Sequence, residues 1–257
     1  MNIKINTRVE KDLLGHKEIP AHCYYGVQTL RALENFNLSP NKLNQFPVFI
    51  NALAMVKAAC AEANFKLNKL EENKYNAIQY ACEQVINYKY HDQFPIDMIQ
   101  GGAGTSTNMN INEVLANIGL EHLEHLKGEY QYLHPNNDIN MSQSTNDVYP
   151  TAIKVGLIFA IEQLNSPFQN LIQSFKNKSD EFSHILKMGR TQLQDAVPMT
   201  LGQEFGAFAN TLQNDLNKLN DIMPSALSVV NLGGTAIGAG INTGVKYGED
   251  AIAALSE

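Results

Sequence analysis

Apolar positions in this chain recur mostly at helical spacing. After Pro47, the residues Val48, Ala52, Val56, Ala59, Ala63 and Leu67 keep to one face, which predicts a helix. Residues 73–88 repeat the pattern with Tyr75, Ile78, Cys82, Val85 and Ile86. Glu113 to His125 gives a third helix, with Val114, Leu115, Ile118 and Leu126 on its apolar side. From Thr151 to about Ile185 the pattern lengthens through Val155, Ile158, Ile161 and Leu164 to Phe168, Leu171, Ile172 and Phe175. Proline removes a helical donor, so Ser166-Pro167 predicts a restart, with Ser166 as N-cap and Pro167 in the first helical position. Met199 to about Val229 reads as helix again, interrupted at Pro224. Tyr247 to Glu257 opens a short amphipathic helix with Ala251, Ile252 and Leu255 on one face. So short a helix is marginal alone. The sequence supplies it no obvious partner, which points to a fragment of a longer bundle. Residues 1–46 read as irregular, with turn residues at Gly15, Pro20, Gly26 and Pro40. Almost no alternating strand pattern and no internal repeat are visible.

Candidate chemistry sits in the breaks between these helices. Gln100 to Asn110 holds three glycines in four residues, then Thr105, Ser106 and Thr107, then Asn108 and Asn110. Glycine lets a ligand approach backbone N–H groups, and hydroxyls and amides add neutral donors. Placed ahead of a helix, such a loop suits a small anion. It lacks the Lys-Ser/Thr of a Walker loop and the third glycine of a dinucleotide fingerprint. A second cluster, Ser142 to Asp147, is rich in N-cap residues, so simple helix capping is an equal alternative for it. Gly189 to Pro198 is a polar interruption in which Arg190 pairs with Asp195 to brace a turn, or contacts a ligand. His122 and His125, beside Glu121 and Glu124, fit a solvated helix end better than a metal site.

Composition narrows the class. The 257 residues are 44% hydrophobic and 18% charged, a low charge for a helical protein, so much surface should be buried against something. Net charge is −7, which argues against nucleic acid as a partner. No apolar leader and no run of eighteen apolar residues occurs, which predicts no membrane insertion and a cytoplasmic location. Cys23, Cys60 and Cys82 show no CxxC spacing and read as reduced thiols.

Taken together the loops look familiar. Gly101-Gly-Ala-Gly-Thr-Ser-Thr-Asn-Met-Asn-Ile-Asn-Glu-Val-Leu-Ala116 resembles the first signature region of the aspartase/fumarase superfamily. Gln143-Ser-Thr-Asn-Asp-Val-Tyr-Pro-Thr-Ala152 and Met188 to Glu204 resemble its second. Asp12-Leu-Leu-Gly15, Tyr24 to Ala32, Asp92-Gln-Phe-Pro95 and Gly128 to Leu133 read as the aspartate ammonia-lyase branch. The resemblance runs over essentially the whole chain. Class II fumarases are the nearest alternative, and a non-catalytic helical fragment is an alternative of another kind.

The resemblance implies a mainly α protein. An N-terminal lyase domain would occupy 1–142, and part of a long-helix central bundle 143–257. It implies elimination of ammonia from L-aspartate to give fumarate, through an aci-carboxylate, without metal or organic cofactor. Thr105, Ser144 and Thr145 would bind the substrate carboxylate, and Asn146 and Thr191 its amino or α-carboxylate end. Gln192 stands where many members carry histidine, a departure that leaves its role open. The family's third signature, a Gly-Ser-Ser-x-Met-Pro-x-Lys-x-Asn-Pro loop carrying the base serine, is not found in these residues, nor is the C-terminal domain. The expectation is therefore a truncated chain with little activity alone, from a family that acts as a homotetramer.

Overall fold

The computed structural model describes residues 6–257. The chain forms two compact units. One comprises the residues up to Gly156 together with Val230–Glu257, the other Leu157–Val229. These units cut the chain differently from a division at 142/143. Val230–Glu257 returns to the first unit.

In the first unit, α2 (Pro47–Lys66) is the central element. Pro47 opens it, where a missing N–H costs nothing. It packs against α3 (Glu72–Ile86) and against α7 (Tyr247–Ser256). The last helix therefore has its partner within the chain, and Tyr247 and Ala251 are fully buried. The sequence hid this pairing because its two members lie far apart along the chain. By length and composition α2 would suffice to cross a membrane, but two-thirds of its most apolar window is buried inside the protein. It also carries the fully buried Lys57.

The helix α4 runs from Thr105 to His122, so it starts two turns before the expected Glu113. Polar side chains on its buried faces mask the start. Thr107, Asn108, Asn110, Asn112 and Glu113 are all interior. Asn110 donates to the Gln93 carbonyl at 3.0 Å. The N-terminal region is not irregular. It forms a hairpin of β1 (Thr7–Asp12) and β2 (Gly15–Pro20), then α1 (Val27–Asn35). Its alternation is disguised because Glu10 is the inward residue of β1. Glu10 accepts from the Val27 amide at 2.9 Å, while Glu113 accepts from the amides of Gly26, Gln28 and Thr29. Two buried carboxylates thus serve the start of α1, where the helix dipole favours negative charge. Burial pushes Glu113 up to about 7, although these donors favour its charged form.

The helix α5 (Thr145–Glu181) begins within the first unit, and its part in the second continues past Ser166-Pro167 without a restart. The carbonyl that Pro167 cannot serve belongs to Gln163. Both residues are exposed, so water can satisfy it. The expected break at 188–198 is instead a hairpin of β3 (Leu186–Thr191) and β4 (Gln194–Thr200), closed by Gln192 and Leu193 in left-handed conformations. The helix α6 (Leu201–Ile222) follows, with a Thr200/Gln203 capping box, and gives way to a wide turn at Met223–Leu227 containing Pro224. Phe175, Phe182, Phe205 and Phe208 pack together, while Leu164, Leu171 and Ile222 remain exposed.

Candidate functional site

The glycine loop is short, and α4 begins as soon as it ends. Gly102 and Gly104 lie at φ +70° and +90°, conformations that favour glycine. A Cβ on Gly104 would also sit 2.4 Å from the Tyr149 ring. Glycine is therefore required twice at this position. Gln100 closes the loop reciprocally. Its side-chain nitrogen donates to Thr107 Oγ1 at 2.9 Å, and its oxygen accepts from the Thr107 amide at 2.9 Å. Thr107 is thereby committed to structure. Thr105, the first helical residue, is exposed at a helix N-terminus whose first amides have no partner within the helix, that of Thr107 being taken by Gln100. Upstream, Asp97 holds the approach to the loop. Its carboxylate accepts from the amides of Leu38, Ser39 and Ile99 and from Lys42. Burial opposes that charge, but these donors hold Asp97 below the usual carboxylate range.

The second cluster also ends in a helix start. Ser144 caps α5, and its Oγ accepts from both the amide and the side chain of Asn146 at 3.2 Å. Its own hydrogen is left to donate elsewhere. Asp147 accepts from the Ser144 amide at 3.0 Å through one oxygen. Through the other it accepts from Gly233 and Thr235. Pro150 has no N–H to offer the Asn146 carbonyl, and Asn231 Nδ2 takes that place at 3.0 Å. The glycine-rich segment after Val230 is thus clasped onto the second loop. The capping reading of Ser144 and Asp147 is realised. It is compatible with ligand binding, because both hydroxyls at this start keep a proton to donate.

Asn108 joins the two helix starts. One turn into α4, its Nδ2 donates to Thr145 Oγ1 at 3.2 Å and to Asn140 Oδ1 at 3.1 Å. Beneath them lies Lys57. Its ammonium donates to Asn108 Oδ1 at 2.8 Å, Asn140 Oδ1 at 2.9 Å and Gln143 Oε1 at 2.7 Å. Burial lowers its pKa to about 7, against the opposing pull of Cys60, Asp147 and Cys82. Helical periodicity alone does not single out Lys57. The available signal is a lone lysine in register with Leu53, Cys60 and Asn64, on a face with no other charge.

The expected site residues fall into three places. Asn146 lines a cavity of about 300 Å³ with Gln100, Gly102, Ala103, Gly104 and Tyr149. No lysine, arginine or carboxylate lines it. Thr105 lines a different cavity of about 770 Å³, with Asp12, Gln28, Glu113, Tyr130 and His134. Ser144 and Thr145 lie beside Asn146 and Asn108 as described. Thr191 and Gln192 are exposed on the hairpin of the second unit, where Arg190 pairs with Asp195 at 3.1 Å. His122 stacks on Tyr80 and His125 on Tyr132, at 4.1 and 3.7 Å between ring centres. Among the described residues no three His, Cys, Asp or Glu side chains come together to hold a metal. All three cysteines are free and buried.

Residues 15–257 match the protein family described as Lyase. The chain is similar to the aspartate ammonia-lyase of Pseudomonas canavaninivorans, 59% identical over 247 residues, covering 96% of this chain and 52% of that protein. The aspartate ammonia-lyase of Escherichia coli K12 is 52% identical over 253 residues, covering 98% and 53%. Among solved structures, a fumarate lyase:delta crystallin from Brucella melitensis superposes with a TM-score of 0.92 at 54% identity, covering 98% of this chain and 54% of that one. A class II fumarase from Schistosoma mansoni gives 0.87 at 35% identity, covering 98% and 52%. The chain spans about half the length of these relatives. By the match over residues 15–257, it belongs to the lyase family, within the aspartase/fumarase group.

Proposed function

We propose that these residues form part of an aspartate ammonia-lyase, which eliminates ammonia from L-aspartate to give fumarate. The carrying observation is the pair of helix starts joined by Asn108, with hydroxyl donors at Ser144 and Thr145 on one and Thr105 exposed at the other, beside the cavity that Lys11 also lines. The 52–59% identity to aspartate ammonia-lyases adds the substrate class. In such an elimination a base takes the proton from the carbon next to the β-carboxylate. Negative charge then spreads into that carboxylate, and preorganised neutral donors stabilise the charge as it develops. Thr105, Ser144 and Thr145 take that role here. Asn146 and Thr191 contact the amino or α-carboxylate end. Thr191 is carried by the second unit and acts within the assembled homotetramer of a cytoplasmic enzyme. By the family resemblance the base serine belongs to a signature loop that these 257 residues do not contain, so this polypeptide alone should bind fumarate with little or no turnover.

Two measurements on the purified chain test this. Calorimetry should show fumarate binding, and the ultraviolet absorbance of fumarate should not rise with L-aspartate. Turnover by the chain alone would contradict the assignment of the base elsewhere. No affinity for either ligand, with the fold intact, would favour a non-catalytic helical fragment. The 35% identity to a class II fumarase keeps a second reading in play. Tighter binding of malate than of aspartate would favour it.

A further inference from the structure

Lys57 is the one lysine or arginine among the described residues that is completely buried, and no carboxylate touches its ammonium. It faces three amide oxygens instead. An ammonium has only hydrogens to give, so each of those amides must present its oxygen to it. Their nitrogens consequently point away. That of Gln143 goes to the Ile139 and Met141 carbonyls, and that of Asn108 to Thr145 Oγ1. Thr145 Oγ1 is thereby an acceptor on its inner side, and its own proton is turned outward.

From this geometry we infer that Lys57 is a positioning residue for the anion-binding face. Its charge orients Asn108, and Asn108 fixes the Thr145 hydroxyl as an outward donor. The inference rests on the dicarboxylate reading above and deepens it. The polar face binds an anion without an exposed cation because the cation is one amide removed. A hydrogen bond polarised by a neighbouring charge is stronger than a neutral one. The buried position also makes the device sensitive to pH. The titratable groups facing it are Cys60 on its own helix, Cys82 on α3 and Asp147 on α5, with Tyr247 of α7 beside Cys60 and Asp147. Burial pushes both thiols up to about 12, so neither changes charge where Lys57 does.

The test uses the 257-residue chain with carbon-13 in its lysine and threonine side chains. Lys57 Cε and the Thr145 methyl are followed from about pH 6 to about pH 9, alone and with fumarate. The expected result is a shared midpoint for both signals. Fumarate affinity should fall about tenfold over the same range, the scale of one charge-assisted hydrogen bond. In Lys57→Met the affinity should be low throughout and the pH dependence gone. Should that variant not fold, the wild-type titration alone decides. A Thr145 signal that stays flat while Lys57 titrates would overturn the inference. So would a folded Lys57→Met variant that keeps the wild-type fumarate affinity and its pH dependence. If wild type binds no fumarate at any pH, the dicarboxylate reading fails, and the shared midpoint still judges the relay.

Discussion

The starts of α4 and α5 are two versions of one feature, a polar loop delivering a hydroxyl to the first turn of a helix. They are held in place by different physics. At α4 the fixation is steric and conformational. Gly104 sits at φ +90° against the Tyr149 ring, and Gln100 closes the turn with neutral bonds. At α5 it is electrostatic. Asp147 gathers three backbone amides, and its charge faces the buried Lys57. The first start should be brittle to added volume and indifferent to pH. The second should tolerate volume poorly only at its clasp, and should respond to charge.

Breaking the electrostatic start should have the largest effect. Asp147→Ala strands three backbone donors, that of Thr235 fully buried, and leaves Lys57 without its facing charge, so chemical denaturation should show a loss of about 3–5 kcal/mol. Gly104→Ala adds a Cβ into the Tyr149 ring at a left-handed φ, and should cost about 2–4 kcal/mol in the same experiment. Ser144→Ala removes an N-cap and should cost about 1 kcal/mol. Arg190→Ala, at an exposed pair in the second unit, should change stability by under about 0.5 kcal/mol.

A pH series sharpens the comparison. The Lys57 pKa is lowered on folding, to about 7 from an ordinary 10.5. Above its folded value, the unfolded chain binds the extra proton, so stability should rise with pH. The window closes near 9, the ordinary value of a thiol, because Cys60 and Cys82 are held neutral in the fold while unfolded thiols ionise and favour unfolding. Unfolding free energies measured across this window should climb for wild type and for Gly104→Ala. They should be flat for Lys57→Met.

The contrast also explains what could be read from sequence. Helices with apolar faces, α2 and α3 above all, were legible because burial writes itself as periodicity. The glycines and hydroxyls of both loops were legible because turn and cap chemistry needs those residue types. The start of α4 was not, since its buried residues are asparagine and threonine that find partners only in the folded state. The first hairpin hid its alternation behind Glu10, whose inward position makes sense only once Val27 arrives to be capped. Pro167 misled because a proline on an exposed helix surface costs little when water can serve the abandoned carbonyl. The role of Lys57 was hidden for the same kind of reason. Its three amide partners come from α4 and from the loop ahead of α5, and nothing local announces them.

The central claim is that both helix starts serve one small dianion. It is tested most directly by titrating fumarate into the isotope-labelled chain and following backbone amides and threonine methyls. The account predicts saturable shifts at Thr105 and at Ser144 to Asn146 with a common dissociation constant, and none at His122, His125 or the cysteines. Shifts at only one of the two starts, or different constants at each, would contradict it.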